Sequence, residues 1–183
     1  MRAFVGIFPP PEVRKALSRA ARGLPVTGQV RLTPPTNVHL TLKFLGDLSQ
    51  EDLTRVAETL EPLRDRHEPF EAAISVFGAF PSPRKARVLW AGVGEGAERL
   101  SALAQDVDRS LEPLGFEREG RPYVPHLTLG RARGRPVTLE ATEVSPPVPG
   151  FSVRRLDLVE SLLGTAGATY STLAAYPLSQ HDA

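Results

Sequence analysis

The chain contains no cysteine. That excludes disulfides and thiolate metal sites, and it makes a cytoplasmic location the expectation. Methionine and asparagine occur once each, which together with the absent cysteine makes a composition poor in thermolabile side chains, as in heat-tolerant proteins. No apolar run approaches the roughly 18 residues of a membrane span, so no membrane partner is expected. The apolar stretch near the N-terminus is about five residues, short of the roughly 7–15 of a signal-peptide core, and reads as a first strand. Neither sign of charge dominates: 22 basic residues face 21 acidic ones, for a net charge of +1, which leaves no global footprint for nucleic acid. Several signatures are missing too. Without GxxxxGK there is no sign of ATP use, without GxSxG no serine nucleophile elbow, and without HExxH no zinc-protease pattern.

What is present is ordinary in bulk and unusual in detail. At 183 residues, 41% hydrophobic and 23% charged, the chain reads as one compact domain or two closely packed lobes. Three of the basic residues are lysine and the remaining 19 arginine. Arg131, Arg133 and Arg135 crowd one side of a single segment, and Arg118 and Arg121 the other.

That segment carries a repeated phrase. There are four histidines, and two lie in identical tetrapeptides, His39-Leu40-Thr41-Leu42 and His126-Leu127-Thr128-Leu129. On a strand, residues two apart share a face and stand roughly 7 Å apart. Each phrase therefore aims an imidazole and a hydroxyl at one side of a sheet and its leucines at the other. Near neutrality one histidine of a pair can be neutral and the other protonated. A neutral imidazole takes a proton from an attacking water or hydroxyl and an imidazolium returns one to a departing oxygen, each role worth roughly 10²–10⁴ in rate. Threonine hydroxyls would donate to non-bridging phosphate oxygens, and an arginine would add charge-assisted bonds. The set suits a phosphate diester. His67, at a helix end, and His181, in the tail, lack this context. A metal is not expected, because neither phrase contains Asp or Glu and no HxH pattern occurs. Gly92-Val93-Gly94-Glu95-Gly96 has GxGxG spacing and reads as a strand-to-helix turn.

The pattern predicts strands at Arg2–Phe8, Val30–Leu32, Val38–Leu45, Glu71–Phe80, Arg87–Val93, Val124–Gly130, Ser152–Leu162 and Thr169–Leu178, the last two forming a hairpin through Gly164–Gly167. It predicts helices from Pro11 to Arg22, from a capping box at Ser49–Asp52 to about Arg66, and over Ala97–Leu114. Residues 179–183 read as a loose tail. In the Val38–Leu45 strand, Val38, Leu40, Leu42 and Phe44 should share the buried face, with His39, Thr41 and Lys43 opposite. Strict alternation would also turn Arg131 away from His126, so a role for it needs a bend or bulge near Gly130. The order strand, helix, HLTL strand occurs twice. Thirty-five residues separate Phe4 from His39 and thirty-seven separate Leu89 from His126. Two lobes, roughly 1–80 and 87–178, are therefore expected around a pseudo-twofold axis, within one domain spanning 1–183 and with strands exchanged between them.

The phrases Asn37-Val38-His39-Leu40-Thr41-Leu42-Lys43-Phe44-Leu45-Gly46 and Pro125-His126-Leu127-Thr128-Leu129-Gly130-Arg131 closely resemble the two-histidine phosphoesterases. Within that superfamily the chain is most similar to the bacterial and archaeal RNA 2′,3′-cyclic phosphodiesterases, historically called 2′-5′ RNA ligases. Arg2-Ala3-Phe4-Val5-Gly6-Ile7, Glu160-Ser161 and Tyr170 extend the likeness over nearly the whole chain. The resemblance implies a bilobal α+β fold, with two pseudo-twofold-related antiparallel sheets, flanking helices and a central cleft. It implies metal-independent hydrolysis of RNA 2′,3′-cyclic phosphate ends to 2′-phosphates, without a cofactor. By position, His39 and His126 are then catalytic, His39 as acid and His126 as base, and Thr41, Thr128 and Arg131 bind phosphate. Candidate RNA contacts are Phe4, Lys43, Phe44, Arg118, Arg121, Tyr123 and Arg133, since free RNA ends are stacked on aromatics and tracked by basic groups. The expected partner is RNA with a cyclic-phosphate 3′ end, tRNA fragments among them, bound by a monomer. The alternatives are reversible 2′-5′ ligation, a small cyclic-phosphate nucleotide substrate, or a non-catalytic RNA-end-binding module.

Overall fold

The computed structural model describes residues 1–144 and 147–180, so His181 lies outside the described residues. In chain order the elements are β1 (Arg2–Ile7), α1 (Pro11–Arg22), β2 (Val26–Thr27), β3 (Val30–Leu32), a 3-10 turn at Pro35–Asn37, β4 (Leu40–Asp47), α2 (Gln50–Leu60), β5 (Phe70–Ala72), β6 (Ile74–Phe80), β7 (Val88–Val93), α3 (Ala97–Leu111), β8 (His126–Ala132), β9 (Thr138–Leu139), β10 (Phe151–Val153), β11 (Arg155–Gly164) and β12 (Gly167–Pro177). Local chemistry sets the helix ends. Pro11, which has no N–H to leave unpaired, opens α1, and Gly23 closes it. Ser49 and Asp52 exchange hydrogen bonds in a capping box at the start of α2. Leu100, Leu103, Ala104, Val107 and Leu111 form the buried stripe of α3.

The strands form an antiparallel sheet of eight, in the order β12-β11-β1-β4-β8-β7-β6, with β3 also pairing β8. It divides into two four-stranded halves, β12-β11-β1-β4 and β6-β7-β8-β3. One residue pair joins them, Leu40 of β4 with Leu127 of β8. The two expected sheets thus meet edge to edge at the HLTL phrases. The C-terminal hairpin β11–β12 pairs onto the N-terminal strand β1, and β6 pairs onto β7. Leu40 and Leu127 are fully buried, and share one core with the stripes of all three helices. The leucine face is therefore the helix-covered face, and the histidine face is turned away from it.

Two expected strands are broken where the chain changes partners, and two expected helices finish as 3-10 turns, the second leaving the α conformation after Leu60 and continuing as a 3-10 turn through Asp65. Glu71–Phe80 divides at Ala73, because β5 pairs β10 while β6 pairs β7. Ser152–Leu162 divides at Arg154 for the same reason. The third helix ends at Leu111 and continues as a 3-10 turn through Leu114, with Pro113 just inside that turn. Ser179, expected in a loose tail, is held by the Arg64 carbonyl and the Asp65 carboxylate.

Candidate active site

A matching irregularity in the two HLTL strands decides which side chains reach the site. On β4, Thr41 pairs Gly6 and Lys43 pairs Val5, leaving Leu42 as an extra residue. On β8, Thr128 pairs Trp90 and Gly130 pairs Leu89, leaving Leu129 extra. A bulge of this kind re-aims every side chain beyond it. Directly opposed residues share a face, so pairing of Thr128 with Trp90 and of Arg131 with Val88 puts Arg131 on the same face as Thr128 and His126. The bulge thus supplies the bend that an Arg131 role requires.

The same irregularity overturns the alternation expected in β4. Phe44 turns out to the histidine side, 67% exposed, and Lys43 turns in, 5% exposed. Lys43 is withdrawn as an RNA contact: its ammonium donates to Asp108 at 2.5 Å and to the Glu117 carbonyl at 2.7 Å. Phe4 is withdrawn as well. Only 2% exposed, it stacks on the His39 ring with centroids 4.7 Å apart and serves as a floor for the imidazole. Nor is Tyr123 a free stacking surface for RNA. It packs against the core, and its hydroxyl donates to the Thr41 carbonyl, while burial pushes its ionisation far above the usual tyrosine range. Arg118 is half-exposed but held between Asp108 and Glu112. Arg121, Arg133 and Phe44 remain on the surface.

Both imidazoles are tethered alike. The Nδ1 of His39 lies 2.7 Å from the Asn37 carbonyl, and the Nδ1 of His126 lies 2.7 Å from the Val124 carbonyl. A carbonyl can only accept, so each Nδ1 carries its proton and each Nε2 is left for chemistry. The Nε2 of His39 lies 3.1 Å from the Thr41 hydroxyl. Leu40 pairs Leu127 across the two strands, so the phrases run antiparallel beside one another at that point. Burial pushes the His39 imidazole below its ordinary value of 6.5; the Asn37 carbonyl opposes this by favouring the charged form, and the nearby charge of His126 adds to the depression.

Aromatic rings frame both histidines. Phe4, Phe8 and Tyr170 surround His39, and Phe80 and Trp90 face His126. Two glycines make room for the platforms. A Cβ on Gly6 would stand 2.9 Å from the Phe4 ring and 2.7 Å from the Leu40 carbonyl, and one on Gly78 would stand 2.3 Å from the Trp90 ring. Phe8, Tyr170, Phe80 and Trp90 are site residues that sequence patterning did not single out as such. Tyr170 is on the site face through register: Phe4 pairs Val159, Ser161 shares a face with Val159, and Tyr170 pairs Ser161, a relation across the hairpin that no local pattern carries. Burial pushes the Tyr170 hydroxyl up, while the charges of Arg131 and Arg2 act in the opposite direction. His67 is elsewhere, paired with Asp106 at 2.8 Å. Among the described residues no cluster of three or more His, Asp or Glu is placed to hold a metal, and no helix is long and apolar enough to cross a membrane.

Two imidazole–hydroxyl pairs on adjoining strands of one antiparallel sheet define a two-histidine phosphoesterase site. Comparison with known proteins agrees. Residues 9–165 match the model of the 2′-5′ RNA ligase superfamily, and the chain belongs to that family. An RNA 2′,3′-cyclic phosphodiesterase of Methanothermobacter thermautotrophicus is 34% identical, over 97% of this chain and 99% of that one. One from Aquifex aeolicus is 30% identical, over 97% of each. Among solved structures, TT0787 of Thermus thermophilus superposes with a TM-score of 0.80 at 31% identity, covering 97% of this chain and 98% of that one. Escherichia coli LigT complexed with 3′-AMP also gives 0.80, at 25% identity and 98% coverage of both.

Proposed function

We propose that this protein hydrolyses 2′,3′-cyclic phosphates at RNA 3′ ends to 2′-phosphates, with His39 and His126 as an acid–base pair. The observation that carries the reading is the shared tether. Two imidazoles on one face, each with Nδ1 protonated against its own carbonyl, leave two Nε2 atoms for chemistry, with the charge of His126 acting on His39. His126 Nε2 accepts a proton from water as its oxygen bonds to phosphorus. The P–O3′ bond breaks, and O3′ takes the proton from His39. Thr41, Thr128 and Arg131 donate to the non-bridging oxygens, whose charge persists throughout. Burial makes the His39 imidazole harder to protonate, and the negative charge of a bound phosphodiester works against that effect.

Phe44, Arg121 and Arg133, all exposed, contact the RNA in this reading, and the single domain, its two halves related by duplication, acts as a cytoplasmic monomer on ends such as those of tRNA fragments. The test is an oligoribonucleotide ending in a 2′,3′-cyclic phosphate, incubated in EDTA with and without a 5′-hydroxyl RNA. A 2′-phosphate product is expected. A 3′-phosphate would refute the regiochemistry. A 2′-5′-joined product as the main species would make ligation the activity. Tight, salt-dependent binding without turnover would make the protein a binding module.

A further inference from the structure

The two histidines are tethered alike, but the carbonyls that tether them are held differently. Val124, which accepts from His126, is half-exposed and has no polar side chain; its segment is pinned by its neighbours, through the Tyr123 hydroxyl donating to Thr41 and the Pro125 carbonyl accepting from the Val93 N–H. Asn37, which accepts from His39, is pinned by itself. Its Nδ2 donates at 2.7 Å to the carbonyl of Ala168, on β12. Its N–H closes the 3-10 turn on the Pro34 carbonyl at 2.8 Å. Asn37 is the chain's only asparagine.

Ala168 is two residues from Tyr170, whose ring edges His39 with centroids 5.0 Å apart. One side chain therefore joins the two things that orient His39, the carbonyl beneath Nδ1 and the strand that brings up Tyr170. We infer that Asn37 is a positioning residue for the reaction. By tying the turn before the first HLTL strand to β12, it holds His39 in the Nδ1-protonated tautomer with Nε2 at the Thr41 hydroxyl. A hydrogen bond of this kind fixes tautomer and ring orientation only if the acceptor is itself immobile. The side chain must donate to a carbonyl across a short gap, and aspartate, of the same shape, cannot donate.

The inference rests on the proposed roles of His39 and His126, but its primary readout needs no substrate. In protein carrying ¹⁵N-labelled histidine, the ring nitrogens of His39 are expected to report one Nδ1-protonated tautomer. In Asn37→Ala and Asn37→Asp the His39 signals are expected to shift to a tautomer mixture, while those of His126 stay unchanged. On the cyclic-phosphate oligoribonucleotide, both variants are expected to lose at least tenfold in kcat with KM within about twofold, because binding contacts are untouched while the reacting geometry is loosened. Wild-type His39 tautomer signals in either variant, with kcat unchanged, would overturn the inference. So would a loss expressed only in KM. Failure of the wild-type protein to act on the oligonucleotide would count against the proposed function instead, and the ring-nitrogen signals would still decide the role of Asn37.

Discussion

Lys43→Met removes an ammonium that is 4% exposed and sits 2.5 Å from an Asp108 carboxylate that is 12% exposed. The carboxylate stays behind in the interior. Leaving one partner of a buried pair uncompensated costs about 3–5 kcal/mol. Asp108 keeps two partial supports, the Glu119 N–H at 3.2 Å and the half-exposed Arg118 guanidinium at 3.7 Å, so the lower half of that range applies. For a chain of this length each kcal/mol lowers Tm by roughly 2–4 °C, which gives a loss on the order of 6–16 °C. Urea unfolding should show a lower midpoint at an unchanged m-value. Adding Asp108→Asn removes the stranded charge and keeps an acceptor for Glu119, so the double variant should recover about half the loss. The pH dependence follows from the Asp108 pKa. Burial pushes the carboxyl up, but Lys43, the Glu119 N–H and Arg118 together hold it below its ordinary value of 3.8. The folded state therefore binds its proton less readily than the unfolded state does. The stabilisation is complete above the ordinary value and is lost as pH falls through the depressed one. Wild type and Lys43→Met should converge in acid. A cost below about 1 kcal/mol at neutral pH, or no recovery with Asp108→Asn, would refute this account of the buried pair.

Other outcomes follow from the site. His39→Ala and His126→Ala should each lower turnover of a cyclic-phosphate RNA by roughly two or more orders of magnitude, and the double variant should be no worse than either, as measured in single-turnover assays. Because burial depresses His39 in the free protein and a bound phosphate anion opposes that shift, the alkaline limb of kcat should lie at higher pH than the alkaline limb of kcat/KM. Movement of the acid limb instead would exchange the roles of the two histidines. Arg131→Ala should reduce kcat/KM by roughly ten- to a hundredfold, the loss of a charge-assisted bond of about 1.5–3 kcal/mol, and a change under threefold would remove Arg131 from the phosphate site. Gly78→Ala forces a Cβ into the Trp90 ring and should cost about 1–3 kcal/mol by denaturant titration, with Trp90 fluorescence altered.

How much could be read beforehand depended on the range of the interaction. The capping box at Ser49 and Asp52, the stripe of α3 and the alternation within each HLTL phrase are local, set by spacings of two to four residues, and they stand as expected. The positions of Lys43, Phe4 and Tyr123 depend instead on contacts remote in sequence. Lys43 and Phe44 exchange faces because Leu42 has no partner on β1, and nothing inside the phrase marks that residue as extra. Phe4 and Tyr123 look like exposed stacking surfaces until His39 is seen on one and the Thr41 carbonyl at the hydroxyl of the other.

The chain by itself determined the two imidazole–hydroxyl pairs, their segregation from the leucines, and the helices that cover the leucine face, because side-chain direction along a strand or helix is a property of the local backbone. Tertiary structure alone decided that both pairs share one face, that Arg131 joins them, and that rings from β1, β6, β7 and β12 surround them. Those facts rest on register between strands remote in sequence and on a bulge that exists only against a partner strand, so they are formed by packing and are not encoded in any single segment.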